Sequence, residues 1–595
     1  MVLPAFQNLY IGQNGKPWSF KLRGMGGKVR ALLFLATIVW LMRMALQIRP
    51  SLSPMFGMHV RALDAAAHDI WTDYILSHPV EADERYGFRE MGFRTHAYAE
   101  LARTHQIGRL ERIEEKLWSF APGAPEIRRK ALQVDPINPE QQVSRNDATS
   151  VDAKVKAILK KSGSLTTNQT SSLLAEAQRE DEVRGGKRRG IVITVNRYTA
   201  LAALQNVQTI RELHGCLLPI EVYYHTDDEM PSGLADMFRD IPRATVIDLE
   251  KLPLFTNELE NEGGHHPGLK EVWSRESLAL LASSFQEIII VEPQVVFLQN
   301  PSLLLSHPTF ASTGTLFFRA EATPVDRASQ YLVAFLKRQI DQGAPSQQLA
   351  ESAFFSHSIG SRMDMDVVVL DKSRPGVLAA LFMNAWMRRK PLLAMFWGAY
   401  PKMMNEGLWL AFELAQIAYA FENTWPGAIG RFDGEWDDHS PLLCAPRTIQ
   451  FLSPEAAHQK LSRKYFSLFQ SQGSKKNRVK GVNGRLSQNA AGEKPFWFHG
   501  GYLIPGQEKE SYFTPNVYAR NVPPYTTADA ADSNNCLYGA TLNRLKDTTI
   551  PSTLSKAIDV AHDTFKKYRP TLMYHSPIPA LQAELEVPKK KKKKE

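Results

Sequence analysis

A carboxylate and a carboxamide stand at the end of an apolar run, where they could hold a cation. In SSFQEIIIVEPQVVFLQNP, Ser283 to Pro301, the apolar stretches Ile288 to Val291 and Val295 to Leu298 are split by Glu292-Pro293-Gln294. An unbroken apolar run of this length reads as a fully buried strand of an α/β sheet. Ligands of such sheets gather at the carboxyl ends of the strands. Glu292 offers a carboxylate there; Gln294 offers a neutral carbonyl, a poorer ligand for a hard cation that prefers oxygen anions. Pro293 removes a backbone donor and fixes the chain locally. Asp364-Met365-Asp366, just ahead of VVVLDK, is the intact Asp-x-Asp near a strand. Asp364, with Asp366, is therefore a second candidate for the metal role. His499, in FWFHGG, reads either as a third metal ligand or phosphate contact or as a histidine packed in an aromatic cluster. His265 and His266 are adjacent in a glycine-rich loop, and adjacent side chains usually point apart.

The elements that must position these groups follow from the patterning. GIVITV (Gly190 to Val195) reads as a buried strand, Ala200 to Leu213 as a helix and LLPIEVYYH (Leu217 to His225) as a second strand, together a βαβ unit. Ala244 to Leu249, the helix Arg275 to Phe285, Ile288 to Val291, Thr313 to Phe318 and Val367 to Lys372 continue the alternation. The fold class is therefore α/β, a mostly parallel sheet flanked by helices. Thr194, Asn196 and Arg197 follow the first strand, where either a nucleotide base and ribose or a plain turn belongs. There is no GxGxxG after that strand and no P-loop, so dinucleotide and ATP-binding readings fall away. No Gly-x-Ser-x-Gly elbow supports a serine nucleophile.

The whole chain, 595 residues with 44% hydrophobic content, exceeds a single small module. Its net charge of +9 includes six lysines at Lys589 to Lys594, leaving +3 for the rest, so no nucleic-acid partner is expected. The cysteines are Cys216, Cys444 and Cys536, and no pair has zinc-ligand spacing. Lys16, Lys21, Arg23, Lys28 and Arg30 precede an apolar stretch from Ala31 to Ile48, which reads as a signal anchor with a cytosolic N-terminus. Eighteen residues span roughly 27 Å as a helix, enough for a thin early-secretory bilayer. Arg43 is placed to snorkel at the exit end. The sequon Asn168-Gln169-Thr170 fits a lumenal body. The expected organisation is a tail (1–30), an anchor (31–48), a stem with helices (49–185), a catalytic-type domain (186–520) and a C-terminal extension (521–595).

Taken in order, GIVITVNRYTALAALQNVQTIRELHGCLLPIEVYYHTDDEMP, WSRESLALLASSFQEIIIVEPQVVFLQNPSLLL, TGTLFF and VVVLDKSR resemble the fungal Golgi α-mannosyltransferases of glycosyltransferase family 71. A weaker echo is KPFWFHGG. The resemblance implies a GT-A fold, a type II protein of the Golgi membrane, GDP-mannose as donor, a divalent cation such as Mn2+, and a mannose-terminated glycan as acceptor. It implies further that Glu292-Pro293-Gln294 stands where the family carries Asp-x-Asp, which weakens or abolishes metal binding. Arg275 stands where the family has a lysine near the diphosphate. Asp371, a catalytic candidate with Glu292, and Lys372, a donor-binding candidate, keep the family pattern. Met403-Met404-Asn405-Glu406 replaces the expected Gly-Asp-Lys. An active transferase and an inactive scaffold or glycan-binding subunit, working beside other Golgi mannosyltransferase subunits, are the two readings that result.

Overall fold

The computed structural model describes residues 67–78, 87–132, 183–184, 187–225, 230–255, 272–321, 323–340, 345–388, 405–432, 442–453, 494–499, 515–519, 536–538, 542–545 and 548–575. Residues 1–70 and 71–595 form two units. Of the first, only the helical residues 67–70 are described. The anchor stretch 31–48, the sequon at Asn168, His265, His266, Met403, Met404 and the lysine tail lie outside the described residues. Among the described residues, no helix is long and apolar enough to cross a membrane.

The second unit is built on two sheets. In the first, β1 (Val183–Arg184) pairs with β2 (Lys187–Thr194), followed by β3 (Ile220–Tyr224), β4 (Ala244–Asp248) and β5 (Glu287–Val291). β6 (Val295–Phe297) leaves for the second sheet, while β7 (Thr315–Arg319) and β8 (Met363–Asp371) return to the first. The strand order is β4-β3-β2-β5-β8-β7. β4, β3, β2 and β5 run parallel. β8 runs antiparallel to both β5 and β7. The expected sheet flanked by helices is present, but it is mixed, because VVVLDK enters from the opposite edge. Strand identity was legible in its apolar residues; direction was not, because a strand buried on both faces reads the same either way.

Alternate residues face two helical layers, as the period-two geometry of a strand requires. Ile191, Ile193, Ile289, Val291, Val367 and Val369 pack into one core cluster, shared with the helices Ala200–Glu212, Ser232–Arg239 and Ile550–His575. Val192, Ile288, Ile290, Val368 and Leu370 pack into the other. That second cluster also holds the helices Val272–Ala282, Pro375–Met387 and Gly407–Leu414.

The stretch expected as a stem contributes three helices to this core: Gly87–Arg103, Ile107–Leu117 and Ala124–Leu132. Trp118 stacks on Phe382 at 5.0 Å, and Phe88 meets Trp386 edge-on at 5.6 Å. A single helix through this region is interrupted at His105, whose φ is +55°. The C-terminal helix Ile550–His575 likewise packs on Ala200–Glu212, and Gln205 donates to the Ala561 carbonyl. Gly190 is needed because a Cβ there would run into the ring of Phe285.

The second sheet adds β9 (Gly427–Arg431), β10 (Leu442–Leu452), β11 (Lys494–His499), β12 (Val517–Ala519), β13 (Cys536–Tyr538) and β14 (Leu542–Arg544). Its order is β14-β12-β9-β10-β11-β6, with β13 on β10. All its pairings are antiparallel. β11 pairs with β6 so that His499 lies opposite Val295.

Candidate active site

β2 has β3 on one side and β5 on the other, so the strand order reverses at the boundary between β2 and β5. In such sheets a crevice opens at that boundary, beyond the carboxyl ends of the strands. Glu292 follows β5 at this edge. The antiparallel β8 arrives here with its first half, since Val291 pairs with Val367. The Glu292 N–H donates to the Asp366 carbonyl at 2.7 Å. β11 then supplies His499 from the other sheet. Three segments distant in sequence thus meet at one point.

His499 Nδ1 lies 2.8 Å from Asp366 Oδ2 and 3.8 Å from Glu292 Oε2. The first of these is an ion pair with the protonated ring. Burial pushes the Glu292 carboxyl up to about 7, helped by the Asp366 charge. Burial opposes charge on His499, but contact with Asp366 and the charges of Asp366, Glu292 and Asp364 outweigh it and lift the imidazole to about 9. Asp364 is buried; its Oδ1 accepts from the Asp366 N–H at 2.9 Å and its Oδ2 from Gln450 Nε2 at 2.8 Å. Burial, followed by the neighbouring Asp366 charge, pushes its carboxyl well above the usual range. The Gln294 main-chain N–H donates to Glu292 Oε2 at 2.6 Å, folding the triplet back on its own carboxylate.

The end of β2 forms the other wall. Thr194 is half-buried, and Asn196 Oδ1 accepts from the N–H groups of Tyr198 and Thr199 at 2.9 and 3.0 Å, an Asx turn that starts the helix Ala200–Glu212. That turn displays Tyr198, 59% exposed, with the Arg197 guanidinium 5.1 Å from its ring centroid. Arg275 is buried and donates from Nη1 to the Val195 carbonyl at 3.2 Å, binding its helix to the end of β2. Beside it is Glu276, whose Oε2 is buried without a hydrogen-bond partner. Burial raises its carboxyl, opposed by Arg388 and Arg275 and reinforced by Asp366.

Glu276 and Tyr198 also belong to this edge and carried no signal in the sequence that marked them as site residues, whereas Asp366 stood out there with Asp364 as the intact Asp-x-Asp. Asp366 sat in view as the partner of Asp364. Its precedence becomes legible only through the pairing of β5 with β8.

Asp371 and Lys372 are placed elsewhere. Asp371 pairs with Glu287, at the opposite end of β5 from the site, so four strand residues, about 13 Å, intervene. Asp371 binds Lys187 at 2.7 Å, Arg374 at 3.1 Å and the Ser373 hydroxyl at 2.5 Å. Lys372 Nζ donates to the carbonyls of Leu280, Leu281 and Ser283 at 3.2, 3.2 and 2.6 Å, closing the C-terminus of the helix Val272–Ala282. Burial lowers its ammonium to about 7. Both residues act as struts because β8 reverses the direction that a parallel strand would have had. Glu406 is also internal: it accepts from the Arg362 N–H at 2.8 Å and from Trp409 Nε1, beneath the Arg362 guanidinium, which stacks 4.5 Å from the Trp409 ring.

Two carboxylates and an imidazole are donors that suit a manganese-class cation. Among the described residues, however, no three His, Cys, Asp or Glu side chains are placed so that they could hold a metal ion.

This fold places a cluster of two carboxylates and an imidazole at one sheet edge. Residues 188–452 match the family described as "Mannosyltransferase putative". The chain is 23% identical over 304 residues to "Putative alpha-1,3-mannosyltransferase MNN1" of Candida albicans, a match covering 43% of this chain and 36% of that protein. It is 22% identical over 302 residues to "Putative alpha-1,3-mannosyltransferase MNN13" of the same organism, covering 46% and 38%. The chain thus spans just over a third of the length of these curated relatives. These matches make the segment 188–452 similar, at a divergent level, to fungal mannosyltransferases. Among solved structures, the mannosyltransferase Ktr4p of S. cerevisiae is similar at 10% identity with a TM-score of 0.23, covering 50% of this chain and 84% of that one, a likeness too slight to argue from.

Proposed function

We propose that the chain transfers mannose from GDP-mannose to a mannose-terminated glycan, as a type II Golgi membrane enzyme with a GT-A domain at the described sheet. The observation that carries this reading is the convergence of Glu292, Asp366 and His499 at the edge where β2 and β5 part. The apolar segment 31–48 with its preceding basic residues supports the orientation.

Breaking a sugar–diphosphate bond leaves negative charge on the departing nucleotide, which must be met in the transition state. A divalent cation would supply that counter-charge when bound, although among the described residues no three His, Cys, Asp or Glu side chains are placed to hold one. Arg275, held at the end of β2, fixes the geometry of the crevice wall. Tyr198 presents an exposed ring on which a base can stack, and Asn196 holds that ring's loop in place by its two backbone contacts.

Calorimetric titration of GDP-mannose into the full chain, with and without Mn2+, tests the reading. Saturable binding that Glu292→Ala weakens is expected. Absence of binding under both conditions would favour the inactive scaffold or glycan-binding subunit.

A further inference from the structure

Cys444 and Cys536, two of the three cysteines, stand far apart in the sequence. The second sheet brings them together. β10 and β13 pair antiparallel, with Leu442 opposite Tyr538, Leu443 opposite Leu537 and Cys444 opposite Cys536. We propose that Cys444 and Cys536 form an intrachain disulfide; this rests on the lumenal orientation proposed above, which places them in an oxidising compartment.

The backbone register supplies the geometry. Residues directly opposite each other on antiparallel strands have Cα atoms about 4.5–5.5 Å apart and share a face of the sheet. Disulfides span Cα separations of about 4.4–6.8 Å, so the bond can close on this register without moving a strand. A slip of one residue would turn one partner to the other face, which makes the pairing specific. The third cysteine, Cys216, is 1% exposed in the core cluster shared with the helix Ala200–Glu212. Leu443, the neighbour of Cys444, belongs to a separate cluster with Phe432 and Val517.

The strand that the bond would hold is a short one. β13 has three residues, and among the described residues its ladder is to β10 alone. So short a ladder is marginal by itself. Cys444 is the last residue of β10 paired with β13; its register then slips against β9, and β11 becomes its partner from Ile449 onward. A bond at Cys444 pins that seam. It also closes a loop of about ninety residues that contains β11 and β12, so His499 is carried inside a covalently closed segment.

The chemistry is thiol–disulfide exchange with a disulfide of a lumenal oxidoreductase. One cysteine thiolate attacks that disulfide, and the second displaces the resulting mixed disulfide. The oxidoreductase leaves as a dithiol, with the two electrons and two protons that the cysteines give up.

The test is peptide mapping by mass spectrometry of the full chain, isolated from membranes of a fungal host with an alkylating agent present throughout. One cross-linked pair of peptides joining Cys444 to Cys536 is expected, two hydrogens lighter than the reduced pair. Thermal melting adds a second readout. Reductant should lower the wild-type Tm by roughly 5 °C, the size expected for a closed loop of this length in a chain of this size. Cys444→Ser, Cys536→Ser and the double variant should all melt at that lower temperature and ignore reductant. Alkylation of both cysteines in wild type, a bridge to Cys216 or to a second chain, or a wild-type Tm insensitive to reductant would overturn the assignment. Protease protection in sealed membranes reads the orientation separately. A lumenal chain with both thiols alkylated would remove the bridge alone; a cytosol-facing chain with both alkylated would remove the orientation and the bridge together.

Discussion

Removing Asp366 should move the titration of His499 by a calculable amount in the metal-free chain. His499 Nδ1 is 2.8 Å from Asp366 Oδ2 and 3.8 Å from Glu292 Oε2; its side chain is 36% exposed although Nδ1 itself is buried, so the bulk dielectric gives a lower bound on the coupling. Coulomb's law in water then gives about 1.5 kcal/mol for the first contact and about 1.1 kcal/mol for the second. These correspond to about 1.1 and about 0.8 pH units. Burial opposes the rise of the imidazole from 6.5 to about 9, so the contacts with Asp366 and Glu292 must contribute more than these lower bounds. Asp366→Asn should therefore lower the His499 titration by at least about one pH unit, and Glu292→Gln by less. The assay is a proton NMR titration of the histidine ring signals in the presence of chelator, with His499→Gln identifying the resonance. A midpoint near 6.5 in wild type, or no change in Asp366→Asn, would refute the electrostatic account of this edge.

Four other outcomes follow from the same contacts. Lys372→Ala should cost about 2–5 kcal/mol in chemical denaturation, because it leaves a buried void and three helix carbonyls without their donor, while GDP binding by the folded fraction stays unchanged. A loss of GDP affinity without loss of stability would make Lys372 a ligand contact instead. Gly190→Ala should destabilise by about 1–3 kcal/mol through collision with Phe285, measured by the same denaturation. Tyr198→Ala should weaken GDP binding by about 1–3 kcal/mol if the exposed ring stacks on the base, and leave the melting temperature untouched. Between pH 6 and 8, Glu292 in the metal-free chain should pass from protonated to ionised around 7, a carboxyl infrared band that Glu292→Gln removes. Because its folded pKa lies above the ordinary carboxyl value, more protons are bound folded than unfolded, so this group's contribution to stability falls as pH rises from about 4.5 to about 7.

Much of the sheet was legible because its strands are continuous apolar runs. Gly190 to Val195, Ile288 to Val291 and Val367 to Lys372 were each read as strands, and each is one in whole or large part. Three things escaped for physical reasons. The direction of β8 is fixed by where the chain between β7 and β8 travels, not by the residues of β8. It decides that Asp366 joins Glu292 while Asp371 and Lys372 are carried to the far edge. The helices Gly87–Arg103 and Ile107–Leu117 looked like stem because their polar faces and the break at His105 dilute the apolar pattern; the buried stripe of Phe88, Tyr98, Leu101, Leu110 and Trp118 is what docks them. The second sheet is assembled from short strands far apart in sequence, so neither its existence nor its delivery of His499 beside β6 could be read from local patterning.

The central claim is that a mannosyl group is transferred at the edge where Glu292, Asp366 and His499 meet. Its most direct test is mass spectrometry of a mannose-terminated oligosaccharide incubated with GDP-mannose, Mn2+ and the full chain, run beside Glu292→Ala and Asp366→Asn. The account predicts addition of a single hexose by wild type and a loss of at least about 100-fold in either variant, as expected for removing a group that meets charge in the transition state. Undiminished transfer by both variants, or no transfer by a wild-type chain that binds both GDP-mannose and Mn2+, would contradict it.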